Sequence, residues 1–192
     1  MADVSASIGA LVAEPRVAVL LGLLVITAWI DIWQHRIPNL LILAGLCFAI
    51  PYSGLHPATS GANGWLIASS GCIVGFVSLF PFYLVRAMGA GDVKLMAMVG
   101  AFVGPFGALC AALLTFAAGG VLAIGVLLWK GQLRRALCNV YHLTMGNILS
   151  APAGSLDFSM SGSDSTGRIP YAVAIAAGTL SYLFANSAGL VG

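Results

Sequence analysis

Charge is what this chain has least of. Only 7% of its 192 residues are charged, six Asp and Glu against eight Lys and Arg, while 60% are hydrophobic. A soluble globular protein has about 25% charged residues, so too little polar surface exists here to hold a domain of this length in water. The mean hydropathy of +1.01 agrees. Paired metal ligands are missing as well. No His-Glu-x-x-His occurs, and His35, His56 and His142 have no carboxylate at ligand spacing, which leaves a metalloprotease without support. Cys47, Cys72, Cys110 and Cys138 stand singly, without zinc-ligand spacing, and three of them fall in apolar segments where cysteine serves as a small hydrophobe. With a net charge of +2 and no concentrated basic patch, nucleic-acid binding is not indicated.

What the chain does have is long apolar runs, so it reads as an all-α, polytopic membrane bundle. Spans are predicted at Val17 to Gln34, Asn39 to Tyr52, Gly64 to Val85, Val93 to Val103, Phe106 to Trp129 and Ile169 to Leu190. These make about six helices, the second and fourth short of the roughly 20 residues that a ~30 Å bilayer requires. At Gly104-Pro105 a kink in one long helix and a tight turn between two both fit, and the turn is preferred because Lys94 to Trp129 is too long for a single span. Asp3 and Glu14 precede Arg16, the wrong charge pattern for a cleaved signal peptide, so the first apolar stretch is expected to be retained. The whole chain, 1–192, is read as one membrane-embedded domain. Gly71-Cys72-Ile73-Val74-Gly75 and Gly100-Ala101-Phe102-Val103-Gly104 fit the GxxxG spacing of closely packed helices within such a bundle.

Orientation follows from the basic residues. Arg36, Arg86, Lys94, Lys130, Arg134, Arg135 and Arg168 fall in alternate connections, which the positive-inside rule places in the cytoplasm, with both termini on the periplasmic side. Segment 131–167 is then a cytoplasmic loop. Its first half carries Leu133, Ala136, Leu137, Val140, Tyr141 and Ile148 at helical spacing and is predicted to be an amphipathic helix on the inner leaflet. Its second half, rich in Ser, Gly and Asp, reads as a solvated linker, with Asp157 and Asp164 as the free acids of the cytoplasmic side, able to attract a basic peptide.

Against this apolar background two acids need an explanation, since carboxylates at membrane depth are costly and are functional candidates by default. Asp31 closes the first span and Asp92 opens the fourth, behind Gly89-Ala90-Gly91, so both come out on the cytoplasmic side. Two carboxyls sharing one proton form an acid-base pair: one accepts a proton from water as it attacks a peptide carbonyl while the other stays protonated. Helix-end electrostatics assigns the proton to Asp31, near a helix C-terminus, and the charge to Asp92, at an N-terminus. Gly89 and Gly91 are read as allowing close backbone approach to substrate and conformations barred to other residues.

Gly89-Ala90-Gly91-Asp92 followed by Lys94 resembles the GxGD-x-K signature of the type IV prepilin peptidases. Asp31 followed by Arg36-Ile37-Pro38-Asn39 looks like that family's other motif. The segment Arg168-Ile169-Pro170-Tyr171-Ala172-Val173-Ala174 is similar to one opening the last helix in its short, Flp-type (tight-adherence) branch. The resemblance implies a peptidase of the bacterial inner membrane that removes the basic leader of prepilins and pseudopilins at the cytoplasmic face. It implies Asp31 and Asp92 as the catalytic pair, Gly89, Gly91 and Lys94 as supporting residues, and no metal or cofactor. Long members of the family carry a Cys-x-x-Cys insert and methylate their product; the isolated cysteines here imply cleavage without that zinc-bearing domain.

Other membrane chemistries fit less well. A rhomboid-type serine protease would want Gly-x-Ser-Gly, and Pro51-Tyr52-Ser53-Gly54 lacks the leading glycine. Presenilin-type proteases place a Tyr before the first Asp and carry Pro-Ala-Leu, whereas Ile30 precedes Asp31 and no Pro-Ala-Leu occurs. A small proton-coupled transporter could use two membrane-edge carboxylates as a relay, but would place acids nearer the midplane in repeated halves. The partners expected are a prepilin-type substrate and membrane lipid; oligomeric state is not legible in the sequence.

Overall fold

A computed structural model describes residues 14–34, 36–56, 63–85, 88–129, 131 and 171–189. Five helices occur among them and no strand: α1 (Pro15–Gln34), α2 (Asn39–Leu55), α3 (Gly64–Leu84), α4 (Ala90–Trp129) and α5 (Tyr171–Ser187). Three of these, α1, α3 and α4, are long and apolar enough to cross a bilayer. The other two have 17 residues each. Lys130, Arg134, Arg135, Arg168, Asp157, Asp164 and the amphipathic helix expected in 131–167 lie outside the described residues, as do His35, Arg86, Cys138 and His142. The chain divides into two compact units, one of Met1–Gly119 with Pro170–Gly192 and one of Gly120–Ile169. In the second, the described part of 120–129 is the helical end of α4.

In the first unit α1, α2, α3 and α5 each bury one stripe. On α1 it is Leu20, Leu24, Thr27 and Asp31, spaced by three and four as one helical face requires, so the stripe that packs the helix also carries its acid inward. The opposite face presents Val25, Trp29, Ile32 and Trp33 outward, Trp33 with 72% of its surface open. An apolar outer face of this kind has its natural solvent in lipid tails. On α3 the buried stripe is Gly64, Ala68, Gly71, Gly75 and Leu79, nearly all small. α2 packs on α1 and α3, and α1 packs on α5.

The first limb of α4 is buried almost all round, with Leu95, Met96, Met98, Val99 and Ala101 sealed from solvent. It lies directly on α3. A Cβ placed on Gly71 would strike the backbone of Gly100 and Gly104, one on Gly100 would strike Gly71, and one on Gly75 would strike Met96. The two GxxxG segments therefore pack against each other, backbone to backbone. On another side Gly45 of α2 leaves room for the Met98 side chain.

At Gly104 the backbone turns to φ 80°, ψ 176°, a conformation open to glycine, and Pro105 follows. The chain folds back here. A Cβ on Gly100 would lie 3.3 Å from that of Ala108, whereas eight residues of straight helix would separate them by about 12 Å. The rings of Phe82 and Phe116 meet at 4.7 Å near the other end. Within the first unit, residues 90–103 and 106–119 are thus two limbs that fold back on each other at Gly104 with no intervening loop.

The reversal leaves carbonyls unpaired. In an unbroken helix Ala101 would bond the N–H of residue 105, which as proline has none. Arg16, from the start of α1, supplies the donor instead: its Nη2 donates to the Ala101 carbonyl at 3.3 Å. Arg16, so far only part of the N-terminal charge pattern, reaches into the bundle and caps a broken helix, where a cation is also favoured by the helix dipole.

Candidate active site

Asp31 occupies the last turn of α1 and is 7% exposed. Its Oδ2 accepts a hydrogen bond from the backbone N–H of Ala172, in the first turn of α5, at 3.1 Å. That N–H is one of the donors a helix N-terminus leaves free. Asp31 therefore sits at two helix ends at once, the C-terminal end of α1 and the N-terminal end of α5. The reading that placed it at a helix C-terminus alone is corrected by this contact. Both acids meet a helix N-terminus, so helix ends alone do not set the two carboxyls apart.

Asp92 lies in the first turn of α4 and is partly buried. Its Oδ2 accepts the N–H of Gly89 at 3.1 Å, and its own N–H donates to the Gly89 carbonyl at 3.2 Å, so the turn closes on itself in both directions. Neither Gly89 nor Gly91 has a positive φ. Their value is space, and it is used by the protein's own chain. A Cβ on Gly89 would lie 3.2 Å from the Asp92 carboxylate, and one on Gly91 would lie 3.1 Å from the Cβ of Ile37. The expectation of conformations closed to other residues is corrected accordingly.

The two acids, one from each end of the matched motifs, lie within electrostatic reach of each other. Lys94 is exposed, and its Nζ donates to Oδ1 of Asn39 at 3.2 Å, which links the fourth helix to the start of the second. Among the described residues no three His, Cys, Asp or Glu side chains gather in a way that could hold a metal. Cys47, Cys72 and Cys110 are free thiols.

The sequence reading missed the part played by α5. Beyond the Ala172 N–H, Tyr171 stands within reach of the Asp92 charge. Its hydroxyl fills the space beside Gly119 on the returning limb of α4, where a Cβ would lie 2.8 Å away. The available signal was Pro170, since proline just ahead of an apolar run marks a helix start and hence a set of free N–H donors.

Comparison with curated proteins and with solved structures returns no match. The model of the type IV leader peptidase family matches residues 18–124, more than half of the 192, and takes in Asp31, the Arg36–Asn39 turn and the Gly89–Lys94 segment. With that span matched, the chain belongs to the type IV leader peptidase family.

Proposed function

We propose that the protein is an aspartyl endopeptidase that removes the basic leader from prepilins and pseudopilins of the Flp type, with Asp31 and Asp92 as its catalytic pair. The observation that carries this reading is that two scarce acids from helices far apart in sequence are each held by a backbone N–H, with Asp92 within reach of the Asp31 charge. Two carboxyls so placed share one proton. The ionised member takes a proton from water as its oxygen bonds to the scissile carbonyl carbon, and the protonated member gives its proton to the carbonyl oxygen. On collapse of the tetrahedral intermediate the C–N bond breaks, the first carboxyl returns its proton to the leaving amine, and the second takes back a proton from one hydroxyl of the diol as the C=O re-forms, which restores the pair. Neither metal nor cofactor enters this mechanism.

Both acids lie at helix ends, the depth at which a leader meets the apolar helix that follows it. Exposed Arg36 follows α1 and exposed Lys94 lies near the start of α4, the ends that hold the acids, which supports a cytoplasmic site in the inner membrane with the termini on the other side. Counting the two limbs of α4 separately, six helices would form the membrane domain, and 131–167 would be its cytoplasmic loop. A proton-coupled transporter is not favoured, because the acids sit at the edge of the apolar helices rather than midway along them.

The test is cleavage, in detergent, of a purified prepilin-type substrate bearing a basic leader and an apolar helix. Wild type is expected to cut it, and Asp31→Asn and Asp92→Asn, each shown to be folded, are expected not to. Cleavage by either folded variant would dismiss the two-aspartate mechanism.

A further inference from the structure

Asp92 is bracketed by two contacts, and both come from one short stretch of chain. On its N-terminal side Gly91 lies against Ile37, whose Cβ, Cγ1 and Cδ1 are 3.1 to 3.4 Å from where a Cβ on the glycine would stand. On its C-terminal side Lys94 donates to Asn39 at 3.2 Å. Between Ile37 and Asn39 stands Pro38, extended at φ −64°, ψ 123°, with its carbonyl accepting the N–H of Leu41 at 3.2 Å as α2 begins. Proline fixes one torsion of this link. Ile37 is itself packed against the apolar core, so the stretch has a fixed footing. The same stretch begins three residues beyond Gln34, the end of α1, and so is tied closely to Asp31.

We infer that Ile37-Pro38-Asn39 is a clasp that sets the position of Asp92 relative to Asp31, with Asn39 and Lys94 as its polar closure and therefore as positioning residues for the reaction. The inference rests on the two-aspartate reading and gives Lys94 a role within it. Lys94 acts through Asn39 and the turn that holds Asp92, not on the substrate.

The chemistry makes stability and rate separable. Both partners are exposed, and an exposed polar contact adds little to folding. Catalysis is less forgiving, since displacement of a reacting group by about 1 Å costs up to about a hundredfold in rate. Breaking the Asn39–Lys94 link should therefore slow the enzyme without unfolding it.

The experiment compares Lys94→Met, Asn39→Ala, the double variant and Asn39→Asp, all in the full-length protein in detergent, on a substrate with a basic leader followed by an apolar helix. Each single loss is expected to lower kcat about tenfold while KM stays within about twofold and Tm is unchanged. The double variant should be no worse than the poorer single one, because both break one link. Asn39→Asp keeps an acceptor for Lys94 and should restore most of the rate. The pH profile of kcat should move in Lys94→Met and in Asn39→Ala alike, since separating two coupled acids changes how they share a proton. A rise in KM confined to the Lys94 variant, multiplicative losses in the double variant, or wild-type kcat in both singles would each overturn the clasp. Asp31→Asn and Asp92→Asn run alongside: cleavage by either would overturn the two-aspartate reading itself, whereas their inactivity beside fully active clasp variants would overturn the clasp alone.

Discussion

The backbone N–H of Ala172 points at Oδ2 of Asp31 from 3.1 Å, across 141 residues of sequence, in a buried setting. A carboxyl that accepts a bond from the rigid first turn of another helix has few alternative rotamers. Its orientation is fixed before a substrate arrives, and preorganisation of this kind is a large part of what a catalytic pair needs.

This bond can be deleted without touching a side chain of the pair. Proline is tolerated in the first turn of a helix, where N–H groups have no helical partner. Ala172→Pro is therefore expected to retain α5 but lose the donor to Asp31, while Ala172→Gly keeps it. A hydrogen bond contributes about 0.5–1.5 kcal/mol net, which corresponds to roughly two- to tenfold in kcat if it is fully lost from the transition state. Steady-state cleavage assays of the two variants would show the difference; equal rates would mean the bond has no part in the reaction.

Arg16 should behave in the opposite sense. Replacing it with Met leaves the Ala101 carbonyl unpaired beside Pro105, a loss of about 1.5–3 kcal/mol in stability. Thermal unfolding in detergent should show a lowered Tm. Cleavage per folded molecule should stay near wild type, because the contact is at the reversal of α4 and not at the acids.

The glycines divide into two classes. A Cβ on Gly71 would meet the backbone of α4, while one on Gly22 of α1 would meet nothing within 4 Å. Gly71→Ala is expected to destabilise the fold, since backbone cannot move aside as a side chain can. Gly22→Ala should be neutral or stabilising by up to about 1 kcal/mol, the helix-propensity difference between the two residues. Paired measurements of Tm test the opposite signs.

Gly119→Ala should push the Tyr171 ring from its place, because the new Cβ would lie 2.8 Å from its hydroxyl. With Tyr171 next to Ala172, the displacement is expected to lower kcat by about tenfold through the first turn of α5. Tyr171→Phe removes the nearest clashing atom, so the double variant should recover part of the activity. Failure of that recovery would show that the two residues do not act together.

Much of the arrangement was open to a reader of residues. An acid at the end of the first apolar run was legible from its scarcity and position, whereas the inward stripe Leu20, Leu24, Thr27, Asp31 was not, because α1 is apolar nearly all round. Predicted spans from Val17 and Asn39 agree with helices starting at Pro15 and Asn39, because Pro15 and Pro38 mark those starts. Length alone argued for a turn at Gly104. What sequence could not supply was long-range and mostly backbone. The donor to Asp31 is a main-chain N–H, which every residue but proline has, so nothing in the letters distinguishes Ala172. Arg16 gave no sign of its role, because its partner is a carbonyl whose lack of a helical bond comes from Pro105, far along the chain. The tightness at Gly89 and Gly91 is toward Asp92 and Ile37, a fact of packing that the Gly-x-Gly pattern does not specify.

The contact between Gly71 and Gly100 constrains how this sequence can drift. At most core positions a larger residue is absorbed by a neighbour changing rotamer, and a later substitution can compensate. Here each partner is main chain, so neither has a rotamer to change. Gaining a single methyl at either position requires the two helices to separate. Because Gly100 lies on the limb that carries Asp92, about 12 Å and two turns away, that separation would be transmitted to the acid. Two positions with no chemistry of their own are thereby bound to the tolerance of the reaction, and the residues free to vary are those on the outer face, where lipid accepts almost any apolar shape.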